Sequence, residues 1–182
     1  FHLPVQSGAA GVLKAMHRPY DPAWFAGLVH QIRELFPSAA LGLDVMVGFP
    51  TETAADFVHT RELLARLPVT YLHVFPYSPR PGTVAARLAP LADSRQVQGR
   101  AQELRRLGEE KKRAFYDQHV GLVVQVLVEG EVPGRLGWVR GWTPNYLRVH
   151  LPGPGEWANR VVPVRLQEVR GQVLKGLPLE GG

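Results

Sequence analysis

The chain has 182 residues, with 21 lysines and arginines against 16 aspartates and glutamates, so its formal net charge is +5. It contains no cysteine, which excludes disulfides and cysteine-ligated zinc or iron–sulfur sites within these residues. The hydrophobic content of 45% excludes a disordered chain, and no apolar run reaches the roughly 18 residues that a membrane span needs.

The apolar pattern is already under way at the start of the chain, where Leu3 and Val5 follow Phe1. We therefore expect a piece of a longer protein, with a processed natural N terminus as the alternative. The small positive excess allows a nucleic-acid partner without demonstrating one.

The first half of the chain alternates strand and helix signals. Asp21 before Pro22 marks one helix start, and Thr53 with Asp56 marks another as a capping box. In chain order, the pattern predicts a strand over 2–6, a helix over 9–16, a helix from Asp21 to before Pro37, a strand over 41–47, a helix from Thr53 and a strand over 71–75. This order is typical of parallel βαβ units, whose chemistry collects in the loops that follow the strands.

A long charged helix is predicted over 93–117, and short strands separated by Gly or Pro follow it. They suggest a small antiparallel barrel of the oligonucleotide-binding type. The strands are predicted over 122–128, 136–142, 145–151, 160–166 and 168–174. Arginines interleave with aromatic residues here, which suits RNA because arginine contacts phosphates while rings stack on bases. We expect Trp138 in the barrel core, whereas Trp142 and Tyr146 fit a core position and an RNA-facing position equally well.

Five motifs occur in one order along the chain, namely HLPVQSG, LKAMHRPY, DVMVGFPTET, YLHVFPYSPRPGT and GWTPNYLRV. In this order they resemble the C-terminal half of the radical-SAM methylthiotransferases. The resemblance implies an α/β fold in which 1–117 form the last three βα units of a partial radical-SAM barrel with a linking helix. A small all-β, OB-like TRAM domain that binds RNA is then expected over 118–178. Thr51 stands where the family usually has glycine, and Ala9-Ala10 stand where it often has Ser-Asp.

The branch of this family determines the substrate. YLHVFPYSPRPGT and NYLRV are most similar to the MtaB-type branch, which adds a methylthio group to C2 of N6-threonylcarbamoyladenosine beside the tRNA anticodon. The MiaB-type branch, which acts on isopentenyladenosine, is the alternative, and the RimO branch, which acts on a ribosomal-protein aspartate, fits less well. A non-catalytic TRAM-containing RNA-binding module is a further hypothesis. An unrelated small-molecule barrel enzyme is disfavoured because the strand ends offer few acid–base groups.

The resemblance implies a cytoplasmic transferase of sulfur-containing groups that uses S-adenosyl-L-methionine (SAM) and two [4Fe–4S] clusters. The cluster cysteines would lie outside this chain, so the chain alone is expected to be inactive and to hold no catalytic residue. The expected partner is the anticodon stem-loop of tRNA, and no membrane partner is expected. An open strand edge near 2–6 is expected to promote self-association.

The candidate SAM site lies at the ends of the predicted strands. Gln6 and Ser7 offer hydrogen bonds to the ribose or methionyl end of SAM, or they only hold a turn. Residues 47–49 form an apolar edge that suits adenine, with core packing as the alternative. Arg18 offers a partner for the SAM carboxylate, or it only ties the helix region together, which is the favoured alternative. The residues expected to contact SAM are Gln6, Ser7, Arg18, Val47, Gly48, Phe49, Phe75 and Tyr77.

Two carboxylates near this site have other expected roles. Glu52 is expected to cap the helix that follows it, where a carboxylate meets the positive end of the helix dipole. Asp44 lies within a strand and needs a partner, which Arg18 or His73 could supply.

The expected RNA contacts are Arg80, Arg140, Trp142, Asn145, Tyr146 and Arg148. Arginine contacts to phosphate would make binding salt-dependent. For Asn145, holding a turn with positive φ is the favoured alternative. The seven histidines show no HxH or HExxH spacing, so no histidine metal site is expected.

Overall fold

The computed structural model describes residues 1–179, which fall into two compact units, one from Phe1 to Lys111 and one that begins at Lys112. The elements, in chain order, are β1 (His2–Gln6), α1 (Ala10–Ala15), α2 (Pro22–Leu35), β2 (Gly42–Val47), α3 (Ala54–Arg66), β3 (Tyr71–Pro76), a 3-10 turn (Ala85–Arg87), α4 (Ser94–Asp117), β4 (Val123–Glu131), β5 (Trp138–Trp142), β6 (Arg148–Pro152), a 3-10 turn (Gly155–Trp157), β7 (Val161–Arg170) and β8 (Val173–Pro178). The fold is mixed α/β, with a parallel sheet followed by a closed five-stranded barrel, as the sequence predicts. The finer assignments of 1–117 to a radical-SAM barrel and of 118–178 to a TRAM domain stay predictions.

The sheet of the first unit has three parallel strands in the order β1-β2-β3. Successive side chains of a strand point to opposite faces, so Leu43, Val45 and Val47 share one face of β2. These three are 0% exposed and pack into the core of the unit with residues of α2, α3 and α4. Asp44 and Met46 alternate with them and are only half-buried on the other face.

Local capping residues fix where the helices begin. Asp21 accepts a hydrogen bond from the Trp24 amide at 2.8 Å, one residue before the proline that opens α2. Thr53 and Asp56 form the predicted capping box, in which the Asp56 amide donates to Thr53 Oγ1 at 3.1 Å and the Thr53 amide donates to Asp56 Oδ2 at 3.0 Å. Both predicted helix starts are confirmed.

The long helix α4 packs against the first unit through a narrow apolar side. Ala101 and Leu104 are 1% and 0% exposed in the core. Gly108 lies against β3, because a Cβ at that position would be 3.2 Å from the Leu72 Cβ atom. The predicted helix over 93–117 agrees with the observed range to within one residue.

The second unit is a closed barrel with strand order β4-β5-β6-β8-β7. All neighbouring strands are antiparallel except β6 and β8, which are parallel. Its interior is filled by fully buried aliphatic side chains that alternate with outward-facing residues. They include Val126, Val128, Val139, Val149, Leu151, Val164, Leu166 and Leu174.

Two sequence predictions for the barrel are wrong. A single strand over 168–174 does not form, because Gly171 adopts φ +59° in a turn that ends β7 at Arg170 and starts β8 at Val173. Trp138 is not a core residue, because the alternation along β5 turns Val139 inward and leaves Trp138 half-buried on the outside. Within residues 1–179, every helix is too short or too polar to cross a membrane.

Candidate functional site

A groove opens at the C-terminal edge of the sheet in the first unit, and we call it the strand-end groove. It consists of two adjoining cavities of 340 and 440 Å³ that share several lining residues. Its lining side chains include one amide, two guanidinium groups, two thioethers, an imidazole, two hydroxyls of Ser and Thr, and three rings of Phe and Tyr. The lining residues include Gln6, Met16, His17, Arg18, Met46, Phe49, Phe75, Tyr77, Ser78, Arg80 and Thr83.

Gln6 holds a strained position at the base of the groove. It is 6% exposed and adopts φ +62°, a left-handed conformation that is rare for residues other than glycine. The next residue closes a tight turn, since the Ser7 amide donates to the Val5 carbonyl at 2.7 Å. Backbone strain of this kind clusters at ligand sites, where surrounding structure maintains it.

Ser7 lies outside the groove, which corrects the expectation that it contacts SAM. Its side chain is 0% exposed, and its Oγ atom lies 3.2 Å from Thr60 Oγ1 and accepts from the Ala9 amide at 3.2 Å. The Gly8 amide also donates to Thr60 Oγ1, at 2.9 Å. Ser7 therefore ties the turn after β1 to α3, which is the turn-holding alternative.

Val47 and Gly48 are likewise displaced from the groove. Val47 points into the core, as the alternation of β2 requires. Gly48 adopts φ +75°, and a Cβ there would lie 2.5 Å from Val97 Cγ2. Gly48 instead lines a separate cavity of 360 Å³ together with Tyr77. Of the 47–49 edge, only Phe49 reaches the groove.

Phe49 and Tyr77 form the aromatic wall of the groove. Their rings pack edge to face with centroids 5.4 Å apart, and the Tyr77 amide donates to the Val47 carbonyl at 2.8 Å. The Tyr77 hydroxyl is buried and has no hydrogen-bond partner among residues 1–179. A buried hydroxyl without a partner is costly, so a ligand group that reached this atom would gain a hydrogen bond.

Arg18 and Arg80 supply positive charge on the two sides of the groove. His17 adopts φ +54° and ends α1, and the Arg18 amide then donates to the Leu13 carbonyl at 2.9 Å. Arg80 lies in the loop after β3, where Thr83 Oγ1 donates to the Arg80 carbonyl at 2.8 Å. Both side chains are exposed, so they are free to meet an anionic group in the groove.

Glu52 does not cap α3, which corrects the sequence-based expectation. It is 1% exposed, and its Oε1 atom accepts from the Gly48 amide at 3.2 Å and from Arg100 at 2.5 Å. Burial raises the pKa of Glu52, and the bonds from Gly48 and Arg100 offset this only in part. This buried ion pair fixes the loop that carries Phe49.

Asp44 is held by two histidines on the open face of the sheet. His73 Nδ1 lies 3.0 Å from Asp44 Oδ1, which confirms one of the two expected partners. The other expected partner, Arg18, makes no such contact among the described ion pairs, and His2 Nε2 takes that place at 2.7 Å. His2 was not expected from the sequence; it lies on β1, on the opposite side of β2 from His73.

The second unit presents a basic and aromatic surface, which we call the outer barrel face. It is built from the outward positions of neighbouring strands, where Trp142 pairs with Arg148 and Arg140 pairs with His150. His150 in turn pairs with Lys175 of β8. The face consists of Arg135, Trp138, Arg140, Trp142, Arg148, His150 and Lys175.

Cations on this face lie over aromatic rings. The Arg135 guanidinium is 3.3 Å from the Trp138 ring centroid, and the Arg148 guanidinium is 5.8 Å from that of Trp142. The Arg140 Nε atom is buried and has no partner in the described part of the chain. Arg140, Trp142 and Arg148 are among the residues expected from the sequence, whereas Arg135 and Lys175 are not. Alternation along β8 points to Lys175, but Arg135 lies in the turn before β5 and only its contact with the Trp138 ring reveals it.

Asn145 serves the turn between β5 and β6. It accepts from Thr143 Oγ1 at 2.6 Å, and its amide nitrogen lies 3.0 Å from His119 Nε2. The positive φ expected for Asn145 falls instead on Tyr146, at +62°. Tyr146 is 77% exposed and lines a cavity of 520 Å³ with Trp142, so it is an accessible ring beside the outer barrel face.

His150 is expected to make the stability of the barrel pH-dependent. Desolvation, followed by the nearby charges of Arg148, Arg140 and Arg135, lowers the pKa of His150 below its ordinary 6.5. As the pH falls, His150 is therefore protonated in the unfolded chain before it is protonated in the folded barrel. The free energy of unfolding consequently falls as the pH drops through about 6.5.

We expect a His150→Gln variant to lose less stability than the parent between pH 7 and pH 5.5, as measured by urea unfolding followed by tryptophan fluorescence. A His59→Gln variant at an exposed site of α3 serves as the control and should keep the parent's slope. Equal slopes in the parent and His150→Gln would contradict this electrostatic account.

The chain is similar to curated tRNA-modifying enzymes along almost all of its length. No family model matches the chain. It is 38% identical over 175 residues to the tRNA-2-methylthio-N(6)-dimethylallyladenosine synthase of Bacillus subtilis, covering 96% of this chain and 34% of that enzyme. The same synthase of Symbiobacterium thermophilum is 38% identical over 176 residues, covering 97% of this chain and 37% of that enzyme.

A second kind of relative is the threonylcarbamoyladenosine tRNA methylthiotransferase MtaB of Aquifex aeolicus, 41% identical over 153 residues, covering 84% of this chain and 36% of that protein. This chain is thus similar to tRNA methylthiotransferases. It spans about a third of the length of these curated relatives. The names of the dimethylallyladenosine enzymes are more frequent among the relatives, so the MtaB-type assignment is not confirmed.

Proposed function

We propose that this chain is the SAM-holding and RNA-binding part of a tRNA methylthiotransferase that adds a methylthio group to C2 of N6-threonylcarbamoyladenosine. The observation that carries the proposal is the strand-end groove, where residues of four family-like motifs meet around one opening. They come from HLPVQSG, LKAMHRPY, DVMVGFPTET and YLHVFPYSPRPGT. The similarity to methylthiotransferases over most of the chain supports the reaction class.

The groove fits SAM by the chemistry of its donors. SAM carries a carboxylate, a ribose with hydroxyl groups and an adenine ring, and the groove offers groups for each. Arg18 would meet the carboxylate, Gln6 and the unpartnered Tyr77 hydroxyl would bond polar groups, and Phe49 with Phe75 would pack against the adenine. When bound, SAM supplies the radical chemistry of the reaction, and these residues hold it and exclude water.

This chain contains no cysteine, so it offers no thiolate ligand for the iron–sulfur clusters of the proposed enzyme. We therefore assign this chain positioning and binding roles, and we expect the chain by itself to show no turnover. The cytoplasm is the proposed location, and the anticodon stem-loop of tRNA is the proposed partner.

The outer barrel face is the proposed RNA-binding surface. Its cations match a phosphate backbone, and Trp142 with Tyr146 offers rings for unstacked bases. Asn145 is left out of this surface because its side chain serves the turn. Arg80 remains a proposed phosphate contact at the groove of the first unit.

The substrate nucleoside has a second candidate. Relatives named for dimethylallyladenosine outnumber those named for threonylcarbamoyladenosine, although the MtaB relative shares 41% identity. Both candidate substrates are tRNA adenosines that carry a substituent on N6, and the identity of that substituent distinguishes the two nucleosides. We keep threonylcarbamoyladenosine as the proposed substrate and dimethylallyladenosine as the alternative.

Substitutions on the outer barrel face should weaken RNA binding in a salt-dependent way. We expect Arg140→Gln and Arg148→Gln each to lower affinity for an anticodon stem-loop RNA by roughly fivefold to tenfold and to reduce the slope of log K against log salt by about 1. Fluorescence anisotropy at several salt concentrations measures both quantities.

The matched control is Arg160→Gln, an exposed arginine of the same unit that is not part of the outer barrel face. It should bind RNA like the parent. A flat salt titration of the parent, or an equal loss in all three variants, would count against this surface.

A further inference from the structure

Three side chains on the open face of the sheet converge without any role in the proposed function. They come from three neighbouring strands, His2 from β1, Asp44 from β2 and His73 from β3. The parallel register places Asp44 opposite His73, and His2 opposite Gly42. We call these three residues the His2–Asp44–His73 cluster.

The donor atoms of the cluster are already close together. His2 Nε2 lies 2.7 Å from Asp44 Oδ1, and His73 Nδ1 lies 3.0 Å from the same oxygen. All three ligand atoms lie within 4.8 Å of one another. A tetrahedral zinc ion with ligands at about 2.0–2.2 Å holds them roughly 3.3–3.5 Å apart, so small side-chain adjustments suffice.

A second contact fixes the orientation of one imidazole. His2 Nδ1 lies 3.0 Å from the Tyr71 hydroxyl, which can donate to this nitrogen or accept from it. The Tyr71 ring occupies the space over Gly42, where a Cβ would lie 2.0 Å from Tyr71 Cζ. Metal-bound histidines commonly donate their other ring N–H to such a partner, which sets the tautomer and strengthens the ligand.

The charge and exposure of the cluster suit an ion. Asp44 offers the one carboxylate of the cluster, between the two imidazoles. The side chains of His2, Asp44 and His73 are 43%, 26% and 69% exposed, which leaves room for an ion to enter and for water to complete its coordination.

We propose that the His2–Asp44–His73 cluster binds a divalent transition-metal ion, with zinc as the first choice, through His2 Nε2, Asp44 Oδ1 and His73 Nδ1. Two imidazoles and one carboxylate favour Zn²⁺, Co²⁺ or Fe²⁺ over Mg²⁺ and Ca²⁺, which prefer oxygen ligands only. Binding requires unprotonated His2 Nε2 and His73 Nδ1, so a proton on either nitrogen moves to the other nitrogen of the same ring or, if that nitrogen already carries one, is released to solvent. His2 Nδ1–H can then donate to the Tyr71 hydroxyl. This proposal departs from the expectation, drawn from histidine spacing, of no histidine metal site.

The site lies on the sheet face that also leads to the strand-end groove. Met46 follows Asp44 by two residues and Phe75 follows His73 by two residues, and both line the groove. Residues two apart on a strand point to the same face, about 6.6 Å apart along it. The proposed ion therefore lies below the groove and uses ligands other than the residues that we assign to SAM, with the His73 ring centroid 5.9 Å from that of Phe75.

Titration of the untagged chain with Zn²⁺, Co²⁺ and Mg²⁺ by isothermal calorimetry tests the proposal. We expect one Zn²⁺ or Co²⁺ per chain, the visible absorption of low-symmetry Co²⁺, and no heat from Mg²⁺. Asp44→Asn and His73→Gln should each weaken Zn²⁺ binding at least 100-fold. Tyr71→Phe should weaken it about 10-fold to 100-fold, the range for loss of a partner that orients a ligand.

The control is His30→Gln, an exposed histidine of α2 that should bind Zn²⁺ like the parent. A chelate formed by the N-terminal amine and His2 alone would not need His73, so unchanged binding in His73→Gln would overturn the proposal. Absence of Zn²⁺ binding to the folded parent would overturn it as well. His73 is 69% exposed, so this variant keeps the sheet packed and decides the test even if Asp44→Asn fails to fold.

Discussion

Replacing Arg100 with methionine is expected to destabilise the first unit by about 3–5 kcal/mol at neutral pH, because it leaves a buried carboxylate without its partner. The side chains of Arg100 and Glu52 are 11% and 1% exposed, so water cannot take over the lost interaction. Arg100 also lies over the Phe57 ring, 5.4 Å from its centroid. Glu52 Oε2 has no partner in the described residues, so the carboxylate depends on Oε1 contacts alone.

The pH dependence of this loss has a definite sign. Burial already raises the pKa of Glu52 above its ordinary 4.5, and removal of Arg100 raises it further. A carboxyl group whose pKa is higher in the folded state than in the unfolded chain destabilises the fold at high pH. This destabilisation disappears as the pH falls to the pKa that the group has in the unfolded chain. The loss in Arg100→Met should therefore shrink on acidification, and Arg100→Met with Glu52→Gln should recover most of it.

Urea unfolding followed by far-ultraviolet circular dichroism measures these differences. The matched control is Arg61→Met, which also removes an arginine–glutamate ion pair. Arg61 lies 3.0 Å from Glu103, and the two side chains are 44% and 34% exposed. Exposed pairs contribute roughly 0–1 kcal/mol, so this variant should stay close to the parent. Similar losses in Arg61→Met and Arg100→Met would contradict the role assigned to the buried pair.

The elements of the first unit were predictable because their signals are local. The Thr53 and Asp56 capping box, the Asp21-Pro22 helix start and the strand over 41–47 each depend on residues adjacent in sequence. The same holds for the strand-end groove, since loops after parallel strands meet at one edge. Alternation along β2 would also have separated Val47, which points to the core, from Met46, which lines the groove.

The remaining site features depend on distant partners. Arg100 and Glu52 are 48 residues apart, so their ion pair cannot be recognised from sequence spacing. The helix dipole next to Glu52 was the only local signal, and it pointed to a capping role. The Asp44–His73 pair is expected from the sequence, but His2 joins it only because β1 lies beside β2 in the parallel sheet. The turn at Gly171 was missed because a single glycine inside a strand-like pattern is compatible with both a turn and a strand.

Mass spectrometry of tRNA nucleosides from a strain lacking the gene for this protein tests the central claim most directly. We predict that 2-methylthio-N6-threonylcarbamoyladenosine disappears and that N6-threonylcarbamoyladenosine accumulates. The gene carrying Arg18→Gln together with Tyr77→Phe should fail to restore the methylthio nucleoside, whereas the gene carrying Arg160→Gln should restore it. Loss of 2-methylthio-N6-dimethylallyladenosine alone would contradict the proposed substrate, and unchanged levels of both methylthio nucleosides would contradict the proposed function.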